Sequence, residues 1–128
     1  MREYKFRGYI KQYLGMKGYF VYGLLARYNN ELATIISGEK IYVVESKTVG
    51  QYTGLPDKNN VEIYEGDRVK LIDSQNRELI CNVEYIVGSF WYVIQHNQLT
   101  IGMWEYYNFG NKTVEVIGNI HDKEKDND

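Results

Sequence analysis

Cysteine, proline and histidine are nearly absent from this sequence. A single cysteine, Cys81, excludes an internal disulfide and with it the disulfide-stapled secreted scaffolds. With only His96 and His121 beside it, a zinc site of four cysteines, or of two cysteines and two histidines, is excluded as well. The one proline, Pro56, leaves no Pro-rich linker. No apolar run approaches the roughly 20 residues that cross a bilayer. The opening MREYKFRGYI has no continuous apolar signal core. These absences lead us to expect a soluble cytoplasmic protein with no membrane partner.

What is present fits one globular domain's worth of chain. The 128 residues are 44% hydrophobic and 25% charged, enough to bury a core without staples. Charge is unevenly spread. Residues 1–30 carry six basic side chains (Arg2, Lys5, Arg7, Lys11, Lys17 and Arg27) against one acid, Glu3, while the remainder is acidic and the net charge is -2. That small negative total disfavours tight nonspecific binding to a polyanion, although a local basic patch could still form. Tyrosine is the compositional outlier, at 13 residues. It is favoured in strands, where it covers an apolar surface and keeps its hydroxyl wet, and it is also favoured at interfaces.

Periodicity points to strands. Residues 4–10 alternate, with Tyr4, Phe6 and Gly8 on one face and Lys5, Arg7 and Tyr9 on the other. Tyr19 to Leu25 is apolar throughout and reads as a buried strand or a short helix. Leu32 to Ile36 and Ile41 to Glu45 bracket Ser37-Gly38-Glu39-Lys40 as a hairpin. Tyr52 to Asn60 is rich in turn formers, and Glu65-Gly66-Asp67 is a tight turn launching an alternating strand. Ser74 to Arg77, Gly88-Ser89 and Gln95 to Gln98 separate further strands, and Val114 to Ile120 closes the series. Strand-length runs divided by Gly and Asn turns describe an all-β, mainly antiparallel fold. We expect a small SH3-like or OB-like barrel over 49–120, an N-terminal β-rich extension or subdomain over 1–48 with room for one short helix, and a frayed polar tail over 121–128.

Residues able to do chemistry are sparse. Cys81 falls within a strand, where a lone cysteine is usually a small buried hydrophobe. The serines lack a nucleophile-elbow pattern, and the glycines form no phosphate-binding loop. Glu65 and Asp67 could share a proton or a divalent ion across their turn, but Asp67 serves equally well as a turn stabiliser. We expect no cofactor, no metal and no catalytic residues. Binding is the better candidate. Basic and aromatic side chains interleave over 1–30, the combination that neutralises phosphates and stacks on bases. Tyr and Arg also anchor protein interfaces.

One stretch is more specific than any of these patterns. Val49-Gly50-Gln51-Tyr52-Thr53-Gly54-Leu55, Asp57-Lys58-Asn59 and Ile63-Tyr64-Glu65-Gly66-Asp67-Arg68-Val69 together resemble the signature of the YopX family, small proteins of phages and prophages of Gram-positive bacteria. Arg2 to Arg7, Gly88-Ser89-Phe90 and Val114 to Ile120 are similar to the family's start, middle turn and ending. Asn60 stands where the family often has Gly, and Gly8-Tyr9 where it usually has an aromatic. The resemblance implies a β fold, a phage origin and the bacterial cytoplasm; it implies no activity.

The expectation is therefore a non-enzymatic phage accessory protein that binds another protein or itself. The alternative is nucleic-acid binding through 1–30, and the remaining one is an enzyme using Glu65 and Asp67. The candidate binding surface comprises Lys5, Arg7, Tyr9, Lys11, Lys17, Tyr52, Thr53 and Tyr64. Gly54, Asn60, Gly66 and Asp67 are the structural turn residues, and Tyr52 and Tyr64 flank and pin the 53–60 loop.

Overall fold

The computed structural model describes residues 4–10, 17–73, 75–103, 106 and 113–122. Lys11 and most of the polar tail lie outside them. Ten strands follow in order: β1 Phe6–Ile10, β2 Tyr19–Tyr28, β3 Leu32–Ser37, β4 Lys40–Pro56, β5 Glu62–Tyr64, β6 Asp67–Ile72, β7 Glu78–Ile86, β8 Ser89–Ile94, β9 Thr100–Gly102 and β10 Glu115–Asn119. The fold is all-β with antiparallel sheets. The chain divides into two compact units between Tyr52 and Thr53, inside β4. Residues 52–56, part of the stretch rich in turn formers, are thus strand. Extended structure survives Gly54 (φ 89°) because the Thr53 hydroxyl spans it, donating to Ile63 O at 2.8 Å and accepting from Leu55 N at 3.3 Å.

In the N-terminal unit β1, β2, β3 and β4 pair in sequence, and β4 returns to β1, so the four strands close on themselves. Tyr19 to Tyr28 is strand rather than helix: Val21 is buried and Leu25 packs toward the core, while Tyr22 and Leu24 between them are exposed. The turn between β3 and β4 is Gly38-Glu39, with Gly38 at φ 62°. Asn29 makes the preceding turn, its carboxamide oxygen accepting from the N–H groups of Glu31 and Leu32.

Four strands leave a narrow interior. It holds Val21, Ala33, Ile35 and Val44, with Phe6, Ile10, Leu25, Tyr42 and Val49 packed around them. Gly8 points into this space, where a Cβ would overlap Val44 Cγ2. The β1–β4 register slips between Arg7 and Tyr9. Tyr9 N–H is satisfied there by the Thr48 hydroxyl at 2.8 Å, which in turn donates to Glu45 O at 2.6 Å. The bulge is thereby built with the Tyr9 N–H satisfied.

The second sheet runs β10-β6-β7-β8-β9. A four-stranded meander with its last strand folded back beside the first is the strand order of an SH3-like barrel. Alternation drives it: Val69 and Leu71 of β6, Cys81 and Val83 of β7, and Tyr92 and Ile94 of β8 share one face and form the core with Ile63, Met103 and Val114. On β6, Lys70 lies 3.4 Å from both Glu78 and Glu115. The hydrogen bond to Glu115, then the charge of Glu78, raises its pKa above the ordinary lysine value.

The filled interior at Gly8 makes a direct prediction. Gly8→Ala forces the stiff, β-branched Val44 to move, and should destabilise the protein by about 1–3 kcal/mol. Urea titration would show a lower midpoint at unchanged slope; an unchanged midpoint would contradict the packing described.

Candidate functional site

The segment 53–67 is held by its own side chains. Asp57 is buried, and its carboxylate accepts three backbone N–H groups: Asn59 at 2.8 Å and Val61 at 2.9 Å within the loop, and Val116 at 2.9 Å on β10. Asn60 takes the left-handed position at φ 65°, a role asparagine fills with little strain. Gly66, at φ 92°, supplies the positive φ of the β5–β6 turn, and the Asp67 carboxylate accepts Tyr64 N–H at 2.8 Å across it. Gly66 N–H donates to Val83 O, and its carbonyl accepts from Ile120 N–H. Tyr64 is buried with its hydroxyl donating to Glu62 at 3.0 Å. Asp67 is buried within the turn. These groups tie β5, β6, β7 and β10 together.

Two of the basic and aromatic residues of the N-terminal unit are drawn inward, while Tyr4, Tyr19, Tyr22 and Tyr28 are exposed. Arg7 and Tyr9 are 5% and 7% exposed. The Arg7 guanidinium lies 4.5 Å over the Phe20 ring, and Tyr9 packs edge-on to the same ring at 5.1 Å. Lys5 is half-buried, its ammonium 5.5 Å over Tyr52. Lys17 is exposed, Tyr52 and Thr53 are half-buried, and Lys11 lies outside the described residues. The structure therefore joins Arg7, Tyr9 and Phe20 in one packed cluster and does not bring the eight candidate residues onto one open surface.

A cleft that the sequence did not single out lies on the C-terminal unit. It encloses about 600 Å³ between the β6–β7 loop and the β8–β9 loop, floored by Leu79, Ile80, Ile94 and Leu99 and rimmed by Asp73, Arg77, Glu78 and His96. Both walls are ordered by hydrogen bonds. Asp73 Oδ1 accepts from Gln75 N (2.9 Å) and Arg77 N (2.8 Å), while Oδ2 accepts from Arg77 Nε (2.8 Å). The Arg77 N–H, then its guanidinium, holds the Asp73 carboxyl below the ordinary carboxylate value despite some desolvation. Across the cleft, Gln98 N–H donates to Ile94 O, Gln95 N–H to Ile80 O, and Leu99 N–H to the Asn97 side chain. An apolar floor with ordered polar walls suits a side chain of a partner that is itself apolar and polar-flanked.

The wall at 73–77 repeats the loop at 57–61. In each, an aspartate N–H donates to the carbonyl four residues on, its Oδ1 accepts from residues two and four on, and an asparagine three residues on sits at positive φ, 65° at Asn60 and 61° at Asn76. The shared pattern, Asp-x-x-Asn-x, was the signal that would have located the cleft wall.

Cys81 lies in the core, and burial pushes its thiol up to about 11. Its side chain packs with Val69, Val83, Tyr92 and Ile94 in the core cluster.

The fold and its cleft define a class: an all-β protein of two small units, the second with SH3-like strand order. The chain belongs to the YopX protein family, whose profile matches residues 5–125. Its fold is similar to that of protein EF1440 from Enterococcus faecalis, seen in a crystal structure, with a TM-score of 0.51 and 19% identity over 97% of each chain. A comparison with curated proteins finds no match. Among the described residues no helix is long and apolar enough to cross a membrane.

Two predictions follow from this geometry. Asp57→Ala leaves three backbone donors without their acceptor and should cost about 2–4 kcal/mol, read as a fall in urea midpoint; a loss below 1 kcal/mol (~0.5, a typical surface substitution) would contradict the stapling role. Cys81 should resist iodoacetamide in the native state and react fully once denatured. Because its folded pKa is raised, the thiol's contribution to stability is complete below about pH 8.5 and declines as pH rises toward about 11. Cys81→Ser should not show that component of alkaline destabilisation.

Proposed function

We propose that this YopX protein is a non-enzymatic accessory protein of a phage or prophage, acting in the cytoplasm of the bacterial host by binding another protein. The observation that carries the reading is the cleft of the C-terminal unit, whose apolar floor of Leu79, Ile80, Ile94 and Leu99 is framed by two hydrogen-bonded loops. Leu99, one of these four, is 62% exposed, an apolar side chain placed where a partner would cover it. Exposed Leu24, Ile41 and Val43 on the N-terminal unit add apolar surface of the same kind. Membership of the YopX family, over residues 5–125, supports the phage origin and the host cytoplasm as part of this reading.

The nucleic-acid reading loses support because Arg7 and Tyr9, the side chains nearest to a base-stacking and phosphate-binding pair, are nearly fully buried. The enzyme reading loses support in the same way: the Asp67 carboxylate is buried and occupied by Tyr64 N–H.

The test compares the native chain with Leu99→Lys as baits in lysate of cells carrying the phage. The reading expects a protein captured by the native chain at least tenfold more strongly than by the variant. It also expects no binding of single- or double-stranded DNA or RNA in a salt titration. Micromolar nucleic-acid binding that falls steeply with salt would overturn it in favour of the alternative.

A further inference from the structure

The outward face of the N-terminal sheet carries apolar side chains in register. The alternation that sends Val21, Leu25, Ala33, Ile35 and Val44 into the core sends their neighbours on β2, β3 and β4 outward. Strand pairing sets those neighbours in rows. Leu24 stands opposite Ile36, and Ile36 opposite Ile41, which makes an aliphatic row across the three strands. Arg27, Thr34 and Val43 form the next row, and Leu32 and Glu45 the one after it. The register slip between Leu25 and Arg27 puts a charge on this face. Without it Ala26 would stand beside Thr34, and Arg27 would fall on the core side.

The face is open and large enough to matter. Leu24 is 60% exposed, Ile41 69%, Val43 55% and Leu32 51%, and Tyr22, next along β2, is 44% exposed. Half-exposed side chains of this size present roughly 100 Å² each, and the five together about 500 Å². Arg27, Thr34, Ile36 and Glu45 between and around them bring the face to about the 800 Å² per partner of a standard interface. Its charges are complementary to themselves. One base, Arg27 on β2, and one acid, Glu45 on β4, flank the central strand β3. Arg27 is exposed and Glu45 half-buried, and among the described residues neither is in an ion pair.

We propose that this protein forms a symmetric dimer by packing the outward face of β2, β3 and β4 against the same face of a second copy. A two-fold axis lying in the interface along β3 exchanges the outer strands, so β2 of one copy faces β4 of the other. Leu24 then meets the partner's Ile41, and Ile36 meets its own counterpart. Arg27 lies over the partner's Val43, with the partner's Glu45 about 7 Å further along the same strand and within reach of a guanidinium. Each of these contacts occurs twice. A single copy thus supplies both the apolar row and the opposite charges needed to cover it, which is the argument for a second copy over an unrelated partner. The dimer face is separate from the cleft of the C-terminal unit, and the inference does not depend on what that cleft binds.

Sedimentation velocity at about 1–100 μM, where an interface of standard size assembles, tests this on the native chain, Ile41→Lys, Arg27→Glu, Glu45→Arg, an equimolar mixture of the last two, and Leu99→Lys. The native chain should be dimeric at the upper end and dissociate on dilution. Ile41→Lys, at an exposed position, should weaken the dimer at least about 100-fold. Arg27→Glu and Glu45→Arg each bring like charges together at both ends of the face and should stay monomeric. Their mixture restores both opposite-charge pairs and should form a heterodimer and nothing larger, which also shows that neither variant has lost its fold. Leu99→Lys should dimerise as the native chain does, so failure of the cleft reading and failure of this one are read separately. A native chain that stays monomeric at about 100 μM overturns the proposal, as does a mixture that stays monomeric. A dimer unchanged by Ile41→Lys, or lost in Leu99→Lys, overturns it too, because the copies then meet elsewhere.

Discussion

The β7–β8 ladder organises the C-terminal unit. Its pairing runs from Cys81↔Ile94 through Val83↔Tyr92 to Ile86↔Ser89, closed by a two-residue turn. Such a turn permits no slip, because moving the register by one residue would exchange every core side chain for its outward neighbour. With this register set, Cys81, Val83, Tyr92 and Ile94 fall on the inner face together. The pairs of β6 with β7 and of β8 with β9 then extend the sheet on either side. The cleft and the exposed Val87-Gly88 turn are the two ends of the same ladder.

The barrel interior shows why polar chemistry is scarce here. Burial raises the pKa of the Tyr92 phenol strongly and pushes the Cys81 thiol up to about 11, so neither ionises near neutrality. Tyr92 meets the Tyr106 ring edge-on at 5.7 Å, and the Tyr106 hydroxyl donates to Ile72 O at 3.0 Å. The aromatic excess of the sequence is thus spent partly on packing with the hydroxyl turned to a backbone partner. Asp57 and Asp67 are likewise occupied by backbone N–H groups. The recurring theme is a polar side chain satisfying main chain where strands bend or end.

Much of the fold was legible because alternation and turn chemistry are local. Val69 and Leu71 against Arg68 and Lys70 gave the inner face of β6, and Gly38 gave the β3–β4 hairpin. Local chemistry misled where strand and turn share residues: Tyr52 to Pro56 contains Gly and Pro yet continues β4. It was also silent on burial. Lys5, Arg7 and Tyr9 do lie on the face opposite Phe6, but alternation cannot say that Arg7 and Tyr9 are covered. The cleft was illegible because its floor comes from Leu79, Ile80, Ile94 and Leu99, residues that meet only through the β7–β8 register. The turn after Ile86 was placed one residue late, at Gly88-Ser89, because valine is a poor choice for the position it occupies.

We propose that the cleft lined by Leu79, Ile80, Ile94 and Leu99 takes an apolar partner group, and that segment 53–67, held by Asp57 and Asp67, is scaffold. Methyl-resolved NMR during titration with a small organic probe such as isopropanol tests it most directly. The account predicts saturable shifts at the methyls of Leu79, Ile80, Ile94 and Leu99, with Ile63 unmoved. Shifts concentrated at Ile63 and Leu55, or shifts that never saturate at the cleft, would contradict it.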